Sequence, residues 1–78
     1  MQAKTKITLD QRHLILFHKY RKRVSFTDIA SGCGITRSTL NNILNGRVSF
    51  SELTARRLAE YFGIDWHDFY KEQNAADN

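Results

Sequence analysis

The stretch FTDIASGCGITRSTLNNILN, Phe26 to Asn45, decides how this chain folds. Its apolar residues, Ile29, Cys33, Ile35, Leu40 and Ile43, recur at spacings that give two short helices a buried stripe each. Ala30 and Gly34 are small at the two places where such helices must touch. Gly34 accepts the positive φ that a turn between steeply crossing helices requires. Thr36 stands just ahead of Arg37, its hydroxyl free to accept an orphan amide of the second helix. The pattern predicts helix, tight turn, helix.

Projected at 3.6 residues per turn, the second of these helices puts Leu40, Ile43 and Leu44 on one stripe that faces a core. Ser38, Asn42 and Asn45 fall nearly opposite, with Asn41 on the flank and Arg37 in the first turn. That outer face holds no Asp, no Glu and no large apolar side chain. An ordinary solvated helix face carries a mixture of Glu and Lys instead. Arg pairs with guanine, Asn with adenine and Ser with either, so this set suits the edges of base pairs.

The rest of the chain narrows the classes of function. Seventy-eight residues make one domain with a small core. A hydrophobic content of 41% with 12% aromatic residues is that of a globular chain. The longest apolar run, Leu14 to Phe17, is far too short to span a membrane, and Met1 to Lys6 has no apolar stretch resembling a secretion signal. A single cysteine, Cys33, fits a reducing compartment, so the expected location is cytoplasmic. Residues 1–57 carry a balance of +8, and residues 58–78 a balance of −4. A basic front and an acidic end suit a protein that grips a polyanion with one side.

The flanks supply the remaining elements. Residues 1–7 read as a flexible basic N-terminus, 8–71 as the folded domain and 72–78 as a polar tail. Thr8 and Gln11 have capping-box spacing, which starts a first helix near Leu9 that runs to Arg21 or Lys22. Leu14 and Phe17 are an i, i+3 pair suited to its inner face, although Ile15, Leu16 and Tyr20 leave the register open. Ser25 and Asp28 form a second capping box. A left-handed residue at Gly46 closes the third helix. Ser49 and Glu52 have the spacing to open a fourth helix over Phe50 to Phe62, with Ala55, Leu58, Ala59 and Phe62 inward and Gly63 as its stop. Asp65 caps a short fifth helix from Trp66 to about Lys71. Its Trp66, Phe69 and Tyr70 are either a lid on the core or a self-association patch. His13 and His18 are five apart and share no helix face, which argues against a metal site; no metal or cofactor is expected.

These residues together resemble the lambda-repressor/Cro family of helix-turn-helix proteins, the xenobiotic-response-element type. The resemblance rests on Ser25 to Asn45, on ILNGR at Ile43–Arg47, and on TARRLAEYFGID at Thr54–Asp65 with Phe69. It implies an all-α, compact five-helix domain that binds operator DNA, as a homodimer in most members. It places base-reading positions at Arg37, Ser38 and Asn42, with Asn41 added from the helical projection. Phosphate-holding positions fall at Asn45 and Arg47 and around the start of the second helix, giving Ser25 and Thr27, with Thr39 and Ser49 beside them. Two positions depart from the family pattern. Phe26 stands where many members have Gln, and Leu44 where many have Glu.

Double-stranded DNA is therefore the expected partner and transcriptional regulation, as a repressor, the expected function. The LNGR ending and the TARRLA run also resemble antitoxins, which bind a toxin protein and repress their own operon. An enzyme is disfavoured, because the chain has no nucleophile–base pair, paired carboxylates or phosphate-cradling glycine loop. Recognition of structured RNA would call for stacking aromatics on a sheet, which the pattern lacks.

Overall fold

The computed structural model describes residues 5–70. Four helices, α1 (Leu9–Lys22), α2 (Phe26–Cys33), α3 (Arg37–Leu44) and α4 (Glu52–Phe62), precede a short 3-10 helix, Trp66–Tyr70. No strand occurs among the described residues, so the fold is all-α with four helices and one tighter turn. The expected tail over 72–78, the end of the fifth helix at Lys71 and the first four residues of the basic arm lie outside the described residues.

Side-chain caps start all four α-helices. Thr8 accepts from Gln11 N, Ser25 from Asp28 N, Thr36 from Thr39 N and Ser51 from Thr54 N. The first two are full capping boxes, in which Gln11 and Asp28 reach back to the cap amide. The hydrogen bonds from Ser25 lower the pKa of Asp28, because they stabilise its ionised form. The fourth start differs from the expected one. Phe50 is buried against Phe69 with ring centroids 5.5 Å apart, and its amide donates to Thr5 O. Holding that residue in extended chain moves the cap from Ser49 to Ser51 and the first helical residue from Phe50 to Glu52.

The core gathers Ile15 from α1, Ile29, Ala30 and Cys33 from α2, and Leu40, Ile43 and Leu44 from α3. Phe50, then Ala55, Leu58 and Ala59 of α4, and Phe69 complete it. Here the expected inner face of α1 needs correction. Phe17 is 53% exposed and Leu14 only half-buried, while Ile15 and Gln11 point inward. Gln11 is polar yet buried because both ends of its amide are used. Its oxygen accepts from Thr8 N at 2.9 Å, and its Nε2 donates to Phe69 O at 3.0 Å. One side chain thus caps α1 and fastens the 3-10 helix to it.

That fastening also corrects the fifth element. It is a 3-10 helix rather than an α-helix, started by Asp65 Oδ1, which accepts from His67 N. Phe69 sits in the core at 3% exposure, so it cannot contribute to a self-association patch. Trp66 is half-buried with the Arg56 guanidinium 4.5 Å from its ring, and Tyr70 alone of the three is exposed.

Two glycines are needed where they stand. Gly34 takes φ 76° and ends α2. Gly32, in the last turn of α2, lies so close to α4 that a Cβ there would collide with the Tyr61 ring. That close approach binds α2 to α4.

His18 packs between aromatic rings, stacked on Phe62 at 5.4 Å and edge-on to Phe17 at 5.1 Å. Burial lowers its pKa, the Arg21 charge lowers it further, and Asp68 opposes both. The folded protein therefore resists protonating His18. Its contribution to stability is complete above the ordinary value of 6.5 and is lost as pH falls from there toward the depressed folded pKa. The thermal midpoint should drop over that window, and the drop should shrink in His18→Asn. An equal drop in both proteins would assign it to other groups.

Candidate nucleic-acid interface

Helix α3 is held by one side and bare on the other. Leu40, Ile43 and Leu44 are buried, which fixes the helix's rotation about its axis. Arg37, Ser38, Thr39, Asn41 and Asn45 are then exposed, and Asn42 is half-buried at the edge of the core. Arg37, Ser38, Asn41 and Asn45 are exposed as the helical projection expects, whereas Asn42, expected opposite the core, sits at its edge. Arg37 and Arg47 make no ion pair among the described residues, so both guanidiniums are available to an anion.

The start of α3 is organised by two threonines. Thr36 Oγ1 accepts from Thr39 N at 3.0 Å and donates its own proton to Thr39 Oγ1 at 2.9 Å. As the acceptor in that pair, the exposed Thr39 hydroxyl keeps its own proton to donate to a phosphate oxygen. After α3 the chain turns sharply. Gly46 takes φ 75°, and the Arg47 amide donates to Asn42 O at 2.8 Å, with the Val48 amide on the same carbonyl at 3.4 Å. The turn fixes the direction in which Arg47 leaves the helix.

The remaining predicted contacts are distributed around α3. Ser25 and Thr27 are exposed at the start of α2, with Ser25 already engaged as the cap. Ser49 is half-buried in the loop before α4. A cation missed by the sequence reading joins them. Arg12 of α1 lines a surface groove of about 200 Å³ together with Asn45, Gly46, Leu44 and residues 7–9. Helical spacing flags neighbours along one helix, and Arg12 reaches the groove from a different one, so only the packing reveals it.

Two other arginines are occupied elsewhere. Arg56 pairs with Glu52 at 2.7 Å, and Arg57 donates to Cys33 O at 3.4 Å, capping the end of α2 from α4. Burial raises the pKa of the Cys33 thiol, partly offset by the Arg57 charge, which suits a core side chain rather than a nucleophile. The described residues contain no group of three or more His, Cys, Asp or Glu able to hold a metal ion. No helix among them is long and apolar enough to cross a membrane.

Two crossed helices joined by a glycine turn, with the second offering a polar, acid-free face, define a helix-turn-helix DNA-binding domain. A helix-turn-helix family model matches residues 18–69, and the chain belongs to that family, the Cro/C1 and xenobiotic-response-element-like proteins. The protein is accordingly a DNA-binding transcription regulator, of a kind that is generally not enzymatic. Searches of curated proteins and of solved structures returned no match.

Proposed function

We propose that the protein is a sequence-specific repressor that lays α3 in the major groove of an operator. The observation that carries this reading is the contrast between the two faces of α3. The apolar face is buried almost completely, while Arg37, Ser38 and Asn41 stand in solvent with no acid among them. Arg37 reads guanine, Asn41 and Asn42 read adenine, and Ser38 reads the neighbouring base. Ser25, Thr27, Thr39, Asn45, Arg47 and Ser49 hold phosphates on either side, and Arg12 adds a cation at the Asn45 end. The partner is double-stranded DNA, bound by a homodimer on two half-sites about one helical turn apart, in the cytoplasm. Residues 8–71 are the DNA-binding unit.

Arg37→Ala provides the direct test. It should cost about 1–3 kcal/mol on the preferred site and relax the preference at one base pair. Thermal stability should be nearly unchanged, because Arg37 is exposed and makes no ion pair among the described residues. Binding measured on the preferred duplex and on scrambled duplex decides the matter, and equal losses on both remove Arg37 from the readers. Selection of bound sequences from random duplex would supply the preferred site, with a palindrome expected.

A second reading, an antitoxin that also binds a toxin protein, draws on the other end of the molecule. Leu53 and Tyr70 are exposed there, with Trp66 beside Tyr70 at 5.7 Å. Stable co-purification with a small protein encoded next to it, abolished by Tyr70→Glu, would favour that reading.

A further inference from the structure

We propose that the outer face of α1 is a contact between two copies of this chain, packed antiparallel about a two-fold axis. Ile15 and Gln11 turn inward, and on the opposite side Leu9, His13, Phe17 and Tyr20 follow one another at spacings of four, four and three. All four are exposed, Leu9 at 66% and Tyr20 at 72%. At 1.5 Å per residue the stripe is about 16 Å long. Leu9, Phe17 and Tyr20, interrupted by His13, therefore leave α1 a second apolar stripe that the domain does not bury. A stripe of this kind with a polar rim marks an interaction surface.

A second copy is the occupant because the stripe complements itself. In an antiparallel pair Leu9 meets Tyr20 of the second copy, and His13 meets Phe17 of the second copy. Each flank of the helix then faces the same flank of its mate. On one flank lie Asp10 and Arg21, one near each end of the helix. The pairing brings Asp10 of each copy to Arg21 of the other, making two equivalent ion pairs. Asp10 has no ion partner among the described residues of its own chain. Arg21 lies over the Phe17 ring at 5.6 Å, at the edge of the stripe. Within one chain the two charges are about 16 Å apart along the helix and cannot reach each other. The C-terminal aromatic cluster is a weaker candidate for the same role, since Phe69 is in the core and Arg56 covers Trp66.

Phe and Tyr side chains each present about 150–250 Å² when whole, of which Phe17 leaves 53% and Tyr20 72% exposed, so with Leu9 and His13 the stripe hides roughly 300–400 Å² per copy. That places the contact among weak interfaces, formed at high protein concentration or when copies are brought together on DNA. Only Leu9 of the stripe also lines the groove beside Arg12 and Asn45, and base reading belongs to α3, so a single copy still docks on a half-site.

Sedimentation equilibrium on the full chain at high micromolar concentration, without DNA, tests the contact. The wild type should self-associate, Tyr20→Glu should weaken this about tenfold or more, and Tyr70→Glu should leave it unchanged. Asp10→Arg and Arg21→Asp should each weaken it about two- to threefold, and the double exchange should restore it. Both exchanges oppose the helix dipole, so a merely structural effect would add up in the double variant instead of cancelling. A chain monomeric throughout, association lost in Tyr70→Glu and kept in Tyr20→Glu, or additive loss in the double exchange would each overturn the proposal. Binding to a half-site duplex, measured in parallel, keeps this outcome separate from that of the DNA-reading surface.

Discussion

Leu40→Ala should lower folding stability by about 2–5 kcal/mol, a large share of what a small domain has. Leu40 is fully buried on the inner side of α3. A truncation there loses the transfer free energy of the deleted carbons and also leaves a cavity, because close-packed neighbours relax only partly. A domain of 78 residues has only about 4–12 kcal/mol in total to lose. Urea unfolding followed by helical circular dichroism measures the effect, and Leu40→Met, which conserves volume, should stay within about 1.5 kcal/mol of wild type. DNA affinity should fall in Leu40→Ala only by the folded fraction, and an osmolyte that restores folding should restore it. Arg37→Ala behaves in the opposite way, keeping its unfolding midpoint and losing preference for its site. A Leu40→Ala protein as stable as wild type would mean that α3 is not anchored through this face.

The helix-turn-helix was legible in the sequence because every local signal there agrees. The spacing of Ile29, Cys33, Leu40 and Ile43, the Thr36 cap and the positive φ at Gly34 each follow from one residue's own chemistry or from its neighbours along one helix. The polar face of α3 was legible for the same reason, since a helix whose inner stripe is known has a known outer stripe. Long-range packing decided the rest. Phe17 looks like a core residue of α1, yet the inner position goes to Gln11, because a carbonyl of Phe69 at the far end of the chain awaits its amide. Ser49 and Ser51 both have a partner three residues on, and the choice between them falls to Phe50, which is drawn into the core and cannot begin a helix. Trp66, Phe69 and Tyr70 are alike as sequence, but one is buried, one is capped by Arg56 and one is exposed. Arg12 belongs with them, its place beside Asn45 following from the groove that the start of α1 and the end of α3 line together.

Raising salt from 50 to 200 mM should weaken DNA binding by about 10²–10³-fold per subunit, if each subunit neutralises roughly four to six phosphates. About three of those phosphate charges are met by the cations free around α3. Arg12, Arg37 and Arg47 are exposed around α3, whereas Arg56 and Arg57 are committed to Glu52 and to the Cys33 carbonyl. The amides at the start of α2 and the Thr39 hydroxyl add phosphate contacts without releasing an ion-paired partner. Arg47→Ala should therefore reduce the logarithmic salt slope by about one and weaken preferred and scrambled duplex alike. Arg37→Ala should instead narrow the gap between the two duplexes. Arg56→Ala should leave the slope unchanged, because its charge is already balanced by Glu52 at 2.7 Å. Fluorescence anisotropy on both duplexes over a salt series distinguishes the three variants. A slope near zero would mean that the backbone is not gripped through this face, and a slope that falls with Arg56→Ala would place the grip on α4 instead.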